Sequence, residues 1–129
     1  MDDLDTLLAA NRAFYEAFER RDLDAMSELW SHDDDVACTH PGWSTLHGWG
    51  SVAASWFALF QQDRGIQFIL TDERGRVGDG IGWVTVDENL IDGATGQTVA
   101  ALNLFRRVGG RWELVCHHGS GVAVRPRPE

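Results

Sequence analysis

Apolar residues in the first half of the chain recur every three or four positions, which is the spacing of amphipathic helices. The pattern predicts a first helix that Asp2 and Asp3 can cap and that ends at the pair Arg20-Arg21, where the charges suit the helix dipole. Asp22 is expected to cap a short second helix, and a third is expected between Gly48 and Gly65. One face of the first helix carries Leu4, Leu7, Leu8, Asn11, Phe14, Tyr15 and Phe18.

Alternation of period two dominates the rest of the chain and predicts strands. Two short strands are expected at 36–40 and 44–47, on either side of a Pro41-Gly42 turn. Four long strands follow, and glycine-containing segments at 78–80, 92–96 and 109–110 are expected to join them as hairpins. Their predicted bounds are 67–77, 81–91, 97–108 and 111–121. The tail 125–129 is expected to fray.

Helices followed by an antiparallel meander indicate an α+β fold, with the helices gathered on one face of the sheet. The length of 129 residues favours a single domain over the whole chain. A long twisted sheet that curls around helices leaves a pocket between the two layers. The sequence therefore predicts a cavity protein built from three helices and a curved sheet.

Alternation also predicts which side chains face that cavity. Glu88 is expected to point inward, because its face of the strand is the more apolar one; on the other face it would be an ordinary exposed carboxylate. The three inward sets are Val84, Val86, Glu88 and Leu90; then Val99, Ala101, Asn103 and Phe105; then Trp112, Leu114, Cys116 and His118.

The formal net charge of −9 and the absence of lysine argue against nucleic acid as a partner. No apolar run approaches the ~20 residues of a membrane span. The acidic start of the chain is unlike a signal peptide, so a cytoplasmic location is expected. Cys38 and Cys116 are then expected to be free thiols.

The stretch 35–60 combines His40, Cys38 and several aromatic residues around the Pro-Gly turn, a mixture that is typical of a cavity wall. We expect a small, largely apolar organic ligand there, and large aromatic side chains suit a flat one. The residues predicted to contact it are Tyr15, Trp30, Trp43, Trp56, Glu88 and Cys116.

Three residues are predicted to be catalytic. His40 would be a general base; alternatively it is a hydrogen-bonded histidine at a strand end. Asn103 would hold a substrate oxygen together with His118; alternatively its amide bonds to His118 or Glu88. Only one of His117 and His118 can face inward. No histidine or cysteine pair has the short spacing of a metal site, so neither metal nor cofactor is expected.

Four segments together resemble the nuclear-transport-factor-2-like superfamily, and within it the SnoaL-like group: 14–26, 36–42, 48–56 and 112–121. The resemblance implies a cone-shaped half-barrel in which a curved antiparallel sheet wraps three N-terminal helices. The last segment also resembles the end of the association domain of calcium/calmodulin-dependent kinase II. The fold hosts isomerases, dehydratases, hydrolases, cyclases and non-catalytic assembly modules, so the resemblance leaves the function open.

The ketosteroid isomerases of the superfamily allow a comparison by position. Their oxyanion-holding tyrosine falls on Phe14, and Tyr15, one position on, is expected to point elsewhere. Their base aspartate falls near His40, and their second aspartate falls on Asn103. The departure at Phe14 argues against steroid isomerase activity.

Two functions remain as hypotheses from the sequence. The first is a cavity protein for a small apolar molecule, with proton-transfer chemistry of the isomerase, cyclase or dehydratase type. The second is a non-catalytic association module. A homodimer is expected in both cases, because Leu102, Leu104 and Val115 would otherwise leave the outer face of the sheet apolar and uncovered.

Overall fold

Three helices and six strands make up the computed structural model, which describes residues 2–62, 65–91 and 96–123. The four long strands have the bounds that the alternation predicts, and the helices follow in the predicted order. The elements are α1 Asp3–Arg20, α2 Leu23–Leu29, β1 Ala37–Thr39, β2 Leu46–His47, α3 Trp49–Phe60, β3 Gln67–Val77, β4 Ile81–Ile91, β5 Gln97–Val108 and β6 Arg111–Gly121. Helix α3 ends at Phe60, before the predicted Gly65. Most of the predicted loop 92–96 and the predicted tail 125–129 lie outside the described residues.

The first two helices begin at the predicted aspartate caps. The carboxylate of Asp2 accepts from the backbone N–H of Asp5 at 2.8 Å, and Asp22 accepts from that of Ala25 at 3.0 Å. Each cap satisfies a donor that the first helical turn leaves unpaired. Arg21 joins the two helices with a φ of 53°.

The six strands form one curved, unclosed sheet in the order β2-β1-β6-β5-β4-β3. Strands β3 to β6 form the predicted antiparallel meander. Strand β1 joins the sheet parallel to β6, a pairing that the sequence pattern did not predict. With the helices against it, the sheet confirms the α+β half-barrel.

Helix α1 lies close against the sheet because two glycines leave room for it. A Cβ on Gly75 would lie 2.9 Å from Cδ1 of Leu4, and one on Gly82 would lie 2.9 Å from Cδ2 of Leu7. Leu7 and Phe14 are fully buried in the resulting core. Within the described ranges, no helix has the length and apolar character needed to cross a membrane.

A β-bulge in β6 changes which residues face the helices. Leu104 pairs with Cys116 but Phe105 pairs with Leu114, so Val115 is an extra residue in the strand. The inward face therefore continues at His117, which is 1% exposed. The predicted inward placement of Cys116 and His118 is wrong, because the prediction assumed unbroken alternation. His118 is exposed and Cys116 lies on the outer face beside Leu104.

A second bulge in β3 turns a carboxylate toward α1. The pairing with β4 shifts between Thr71 and Arg74, and Asp72 has a φ of 53°. Glu73 thereby reaches Asn11 and Arg12 of α1. On β4 and β5 the predicted alternation is confirmed, and Glu88 and Asn103 are both buried on the helix side.

Candidate functional site

The Pro41-Gly42 turn sets the position of His40. The backbone N–H of Trp43 donates to the carbonyl of His40 at 2.8 Å, and Gly42 has a φ of 84°. Proline second and a positive φ third are typical of a type II turn. The parallel pairing of Cys38 with His117 then brings the two imidazoles together, with ring centroids 6.4 Å apart.

These histidines line a small cavity between α1, α3 and the sheet. Its volume is about 130 Å³, close to the ~150 Å³ of an engineered cavity that holds benzene. Apolar side chains form most of the wall, and three titratable side chains interrupt it. The lining residues are Phe18, His40, Pro41, Trp43, Leu59, Ile66, Phe68, Glu88, Leu90, Val99 and His117.

Ser55 fixes the orientation and the tautomer of His40. The Ser55 hydroxyl donates its one proton to the carbonyl of Val52 at 2.6 Å, so its oxygen accepts from Nε2 of His40 at 2.8 Å. Nδ1 of His40 is then the unprotonated nitrogen. Burial lowers the pKa of His40 to about 4, so the ring is neutral near pH 7.

Cys38 lies against the same imidazole but is not set up as a nucleophile. Its Sγ is 3.7 Å from Nε2 of His40 and 4.0 Å from Nδ1. Burial raises the pKa of the Cys38 thiol to about 12, with a smaller effect from Cys116. A protonated thiol is a poor nucleophile.

Asn103 is the centre of a buried hydrogen-bond network. Its Nδ2 donates to Oδ1 of Asn11 at 2.8 Å and to the hydroxyl of Tyr15 at 3.1 Å. Its Oδ1 lies 2.6 Å from Nδ1 of His117. Both amide protons and one carbonyl lone pair are therefore committed to protein partners. The amide bonds to neither of the two partners expected from the sequence, His118 and Glu88.

Glu88 is the carboxyl group of the cavity. It is 3% exposed, and its Oε2 accepts from the hydroxyl of Tyr15 at 2.5 Å. Burial raises the pKa of Glu88 to about 7, and the bond from Tyr15 opposes part of that rise. Burial and the charge of Glu88 raise the pKa of Tyr15, so the tyrosine stays a donor. Tyr15, predicted as a ligand contact, is not among the lining residues of the cavity, but its hydroxyl joins two residues of this network.

Burial also keeps His117 neutral. It lowers the pKa of His117 to about 3, and His40 and His118 add smaller effects in the same direction. Glu88, Tyr15, Asn103 and His117 thus form one continuous hydrogen-bonded path, and both ends of that path line the cavity.

Comparison with known proteins decides the family. Residues 7–125 match the SnoaL-like domain family. The chain belongs to the SnoaL-like family. Among solved structures, the SnoaL-like fold of this chain superposes with a TM-score of 0.88 on a nuclear-transport-factor-2-like protein of Streptomyces avermitilis that is provisionally named a dehydratase. The two are 39% identical, and the match covers 95% of this chain and 97% of the other.

Two further relatives carry different names. A protein of Thiobacillus denitrificans, provisionally named a calcium/calmodulin-dependent kinase type II association domain, is 36% identical with a TM-score of 0.84, over 92% of this chain and 96% of its own. F-box protein SKIP8 of Arabidopsis thaliana is 31% identical over 119 residues, which are 92% of this chain and 50% of the relative. The SnoaL-like chain therefore spans about half the length of this curated relative.

The other predicted ligand contacts divide between this cavity and the rest of the SnoaL-like chain. Trp43 lines the cavity and is 44% exposed. Trp56 is fully buried behind His40, edge-on at 4.8 Å between ring centroids. Trp30 packs on Trp49 away from the cavity, and Cys116 lies on the outer face.

A wider groove of about 920 Å³ lies elsewhere, between the first two helices and the β5–β6 hairpin. It is open to solvent, and two of its charged residues, Arg111 and Glu113, pair with each other at 3.5 Å. We place the candidate site in the smaller cavity, because that cavity holds the buried titratable groups. In the part of the chain that the structure describes, no three His, Cys, Asp or Glu side chains come together as a metal site.

Besides His117, sequence reasoning missed three polar residues that hold the site in place: Ser55, Asn11 and Glu73. Asn11 left a readable signal, because it is a polar residue on the apolar face of the first helix. Ser55 lies on the inner face of α3, where a serine is unremarkable. Glu73 left no signal, because it faces inward through a bulge.

Proposed function

We propose that this SnoaL-like chain binds a small organic molecule, about the size of one six-membered ring, and catalyses proton transfer on it without a cofactor. The observation that supports this most directly is that Glu88 and His117 line the same cavity and are linked through Tyr15 and Asn103. Such a site suits isomerase-, cyclase- or dehydratase-type chemistry, and the name of the Streptomyces relative favours the last of these.

Glu88 is the group best suited to move the proton. A catalytic acid or base works best when its pKa lies near the working pH, and burial brings the pKa of Glu88 to about 7. His40 was the base expected from the sequence, but with a pKa of about 4 it binds a proton more weakly. We assign His40 and His117 the task of hydrogen-bonding the polar groups of the substrate.

The proposed reaction is the loss of water from a β-hydroxycarbonyl compound. The carboxylate of Glu88 takes the proton from the carbon next to the carbonyl, and the C–H electron pair forms the new carbon–carbon double bond. The C–O bond to the hydroxyl breaks as Glu88 returns the proton to the leaving oxygen, which departs as water. One carboxyl group therefore starts and ends the cycle in the same state.

The test uses 3-hydroxycyclohexanone, which has one ring, and follows the ultraviolet absorbance of cyclohexenone. We expect the wild-type protein to accelerate its formation and Glu88→Gln to lose that acceleration, because an amide cannot accept the proton. Glu113→Gln, which removes a carboxylate outside the cavity, is the matched control and should keep the rate. Equal rates for wild type and Glu88→Gln would exclude Glu88 from the reaction.

Binding is tested apart from turnover with phenol as the probe. Chemical-shift changes at the amides of Glu88 and His117 should saturate with phenol. Leu90 lines the cavity. Leu90→Phe should weaken phenol binding, because the larger phenylalanine side chain would occupy part of the cavity. Leu102→Phe on the outer face is the control. If Leu90→Phe bound phenol as tightly as wild type, phenol would have to bind elsewhere, and the proposed cavity would be contradicted.

A second candidate function, a homodimeric association module, is favoured by the outer face of the sheet and by the name of the Thiobacillus relative. Trp83 and Leu104 are cross-strand partners there, with Leu102 on the same face. Trp83 is 37% exposed and Leu102 is 39% exposed. A second copy that covers this face would bury an apolar surface.

Sedimentation at micromolar concentration tests the dimer. We expect a dimer for wild type and a monomer for Leu102→Glu, with Phe57→Glu on α3 as an exposed control of similar apolar character. A monomeric wild type would exclude this second function. Sedimentation does not measure turnover, so neither result decides the outcome of the 3-hydroxycyclohexanone test.

A further inference from the structure

Glu73 lies outside the cavity but at the end of the hydrogen-bond network. Its carboxylate accepts from Nδ2 of Asn11 at 2.9 Å and from Nη2 of Arg12 at 3.2 Å. A carboxylate that pairs with a guanidinium offers acceptors alone. Asn11 must therefore turn its amide nitrogen toward Glu73 and its carbonyl oxygen away from it.

The donor-to-acceptor direction that Glu73 imposes on Asn11 is passed on to the amide of Asn103. The carbonyl oxygen of Asn11 faces Asn103 and can accept only from the amide nitrogen of that residue, which lies 2.8 Å away. The carbonyl oxygen of Asn103 is then left to face Nδ1 of His117 at 2.6 Å. Two acceptors at that distance would repel, so Nδ1 must carry the proton.

We propose that Glu73 is a positioning residue that holds His117 in the Nδ1–H tautomer. The ring then has Nε2 left to offer the cavity, and that nitrogen is an acceptor. His40 also lines the cavity and keeps an unprotonated Nδ1, so each of the two imidazoles has one acceptor nitrogen. If the proposed function holds, the cavity selects substrates that carry a hydroxyl donor over those that offer a carbonyl alone.

The experiment records the ¹⁵N shifts of the His117 imidazole in the ligand-free protein. Wild type should show a protonated Nδ1 and an unprotonated Nε2. Glu73→Gln keeps the shape of the side chain but offers either a donor or an acceptor to Asn11. The direction of the network is then imposed only at Tyr15, which accepts from Nδ2 of Asn103. The share of the Nδ1–H form should therefore fall, and a mixture of the two tautomers is expected.

A double variant supplies a rescue. In Glu73→Gln/Asn11→Asp, the new carboxylate at position 11 can only accept, so Asn103 must again donate to it. The Nδ1–H form should return. Arg12→Gln removes the ion pair but keeps the carboxylate of Glu73, and it should leave the tautomer as in wild type.

Three results would overturn the proposal: an Nε2–H form in wild type, an unchanged tautomer in Glu73→Gln, or the same mixture in Arg12→Gln as in Glu73→Gln. The last result would show that the tautomer of His117 changes because the packing around α1 is loosened, and not because the carboxylate acceptor of Glu73 is lost. The shifts are measured without substrate, so a failure of the turnover or phenol tests would leave the role of Glu73 decided independently.

Discussion

Asn103 and His117 are cross-strand partners in β5 and β6, and 2.6 Å separates Oδ1 of the first from Nδ1 of the second. Both side chains are essentially inaccessible to solvent. The pair joins the polar network of α1 to the wall of the cavity. The change in unfolding free energy when this pair is broken therefore shows whether its polar groups are satisfied by the protein or kept for a ligand.

Asn103→Leu should lower the free energy of unfolding by at least ~2 kcal/mol, because it leaves polar groups of Asn11, Tyr15 and His117 buried without a partner. Chemical denaturation measures the change. Asn89→Leu is the matched control on the same sheet, and it should cost less because the hydrogen bonds from its amide nitrogen are exposed and the one to its carbonyl oxygen is only partly buried. A neutral or stabilising Asn103→Leu would instead indicate an amide that is kept for a ligand at the expense of stability.

Glu88→Gln should change how stability depends on pH. Because the pKa of Glu88 is raised from 4.5 to about 7 in the fold, its protonated form stabilises the protein fully below pH 4.5. That contribution, about 3 kcal/mol, is lost as the pH rises through 7. The variant lacks this loss, so the difference in unfolding free energy between variant and wild type should change steadily from pH 4.5 to 7.

The lowered pKa values of the histidines change stability with pH in the opposite direction, and their effect cancels when Glu88→Gln is compared with wild type. The pKa of His40 is lowered from 6.5 to about 4, so its contribution is lost as the pH falls below 6.5. This loss is common to wild type and Glu88→Gln. A pH-independent difference between Glu88→Gln and wild type would show that the fold does not raise the pKa of Glu88.

Cys38 should resist alkylation in the native protein. It is fully buried and its pKa is raised to about 12, so almost no thiolate forms near pH 8. Mass spectrometry after brief exposure to iodoacetamide measures the modification, and the same reaction in denaturant is the control. Modification of native Cys38 as fast as in denaturant would contradict the burial of this part of the site.

Gly42→Ala should cost about 1 kcal/mol or more, because alanine is strained at the positive φ of 84° that the turn after His40 requires. Gly50→Ala is a useful contrast, since Gly50 lies in α3 with open space around it. There alanine should stabilise the protein by up to ~1 kcal/mol through helix propensity. Equal effects of the two changes would show that the turn is not under this constraint.

The sequence predicted the large elements well, because each of β3 to β6 alternates clearly and glycine lies between them. It also predicted the inward direction of Glu88 and Asn103, since β4 keeps an unbroken register with β5. The inward histidine was predicted wrongly. Because Val115 is an extra residue, every later residue of β6 faces the side of the sheet opposite to the predicted one. Side-chain alternation alone gives no sign of such an insertion.

The polar network was out of reach of sequence reasoning for a related reason. Asn11, Glu73 and Asn103 lie far apart along the chain, and each finds its partner through tertiary packing. Glu73 faces inward only because of the bulge at Asp72. The parallel pairing of β1 with β6 had no local signal either, although it places His40 beside His117.

That parallel pairing has a consequence for the order in which the protein folds. β1 ends at Thr39 and β6 begins at Arg111, so their contact closes a long loop, and such contacts form slowly compared with hairpins. The meander can form from its local turns, whereas the cavity needs β1 paired with β6. We therefore expect a refolding protein to regain its sheet signal before it regains the proximity of His40 and His117, and a nascent chain to acquire the site only after β6 has been synthesised.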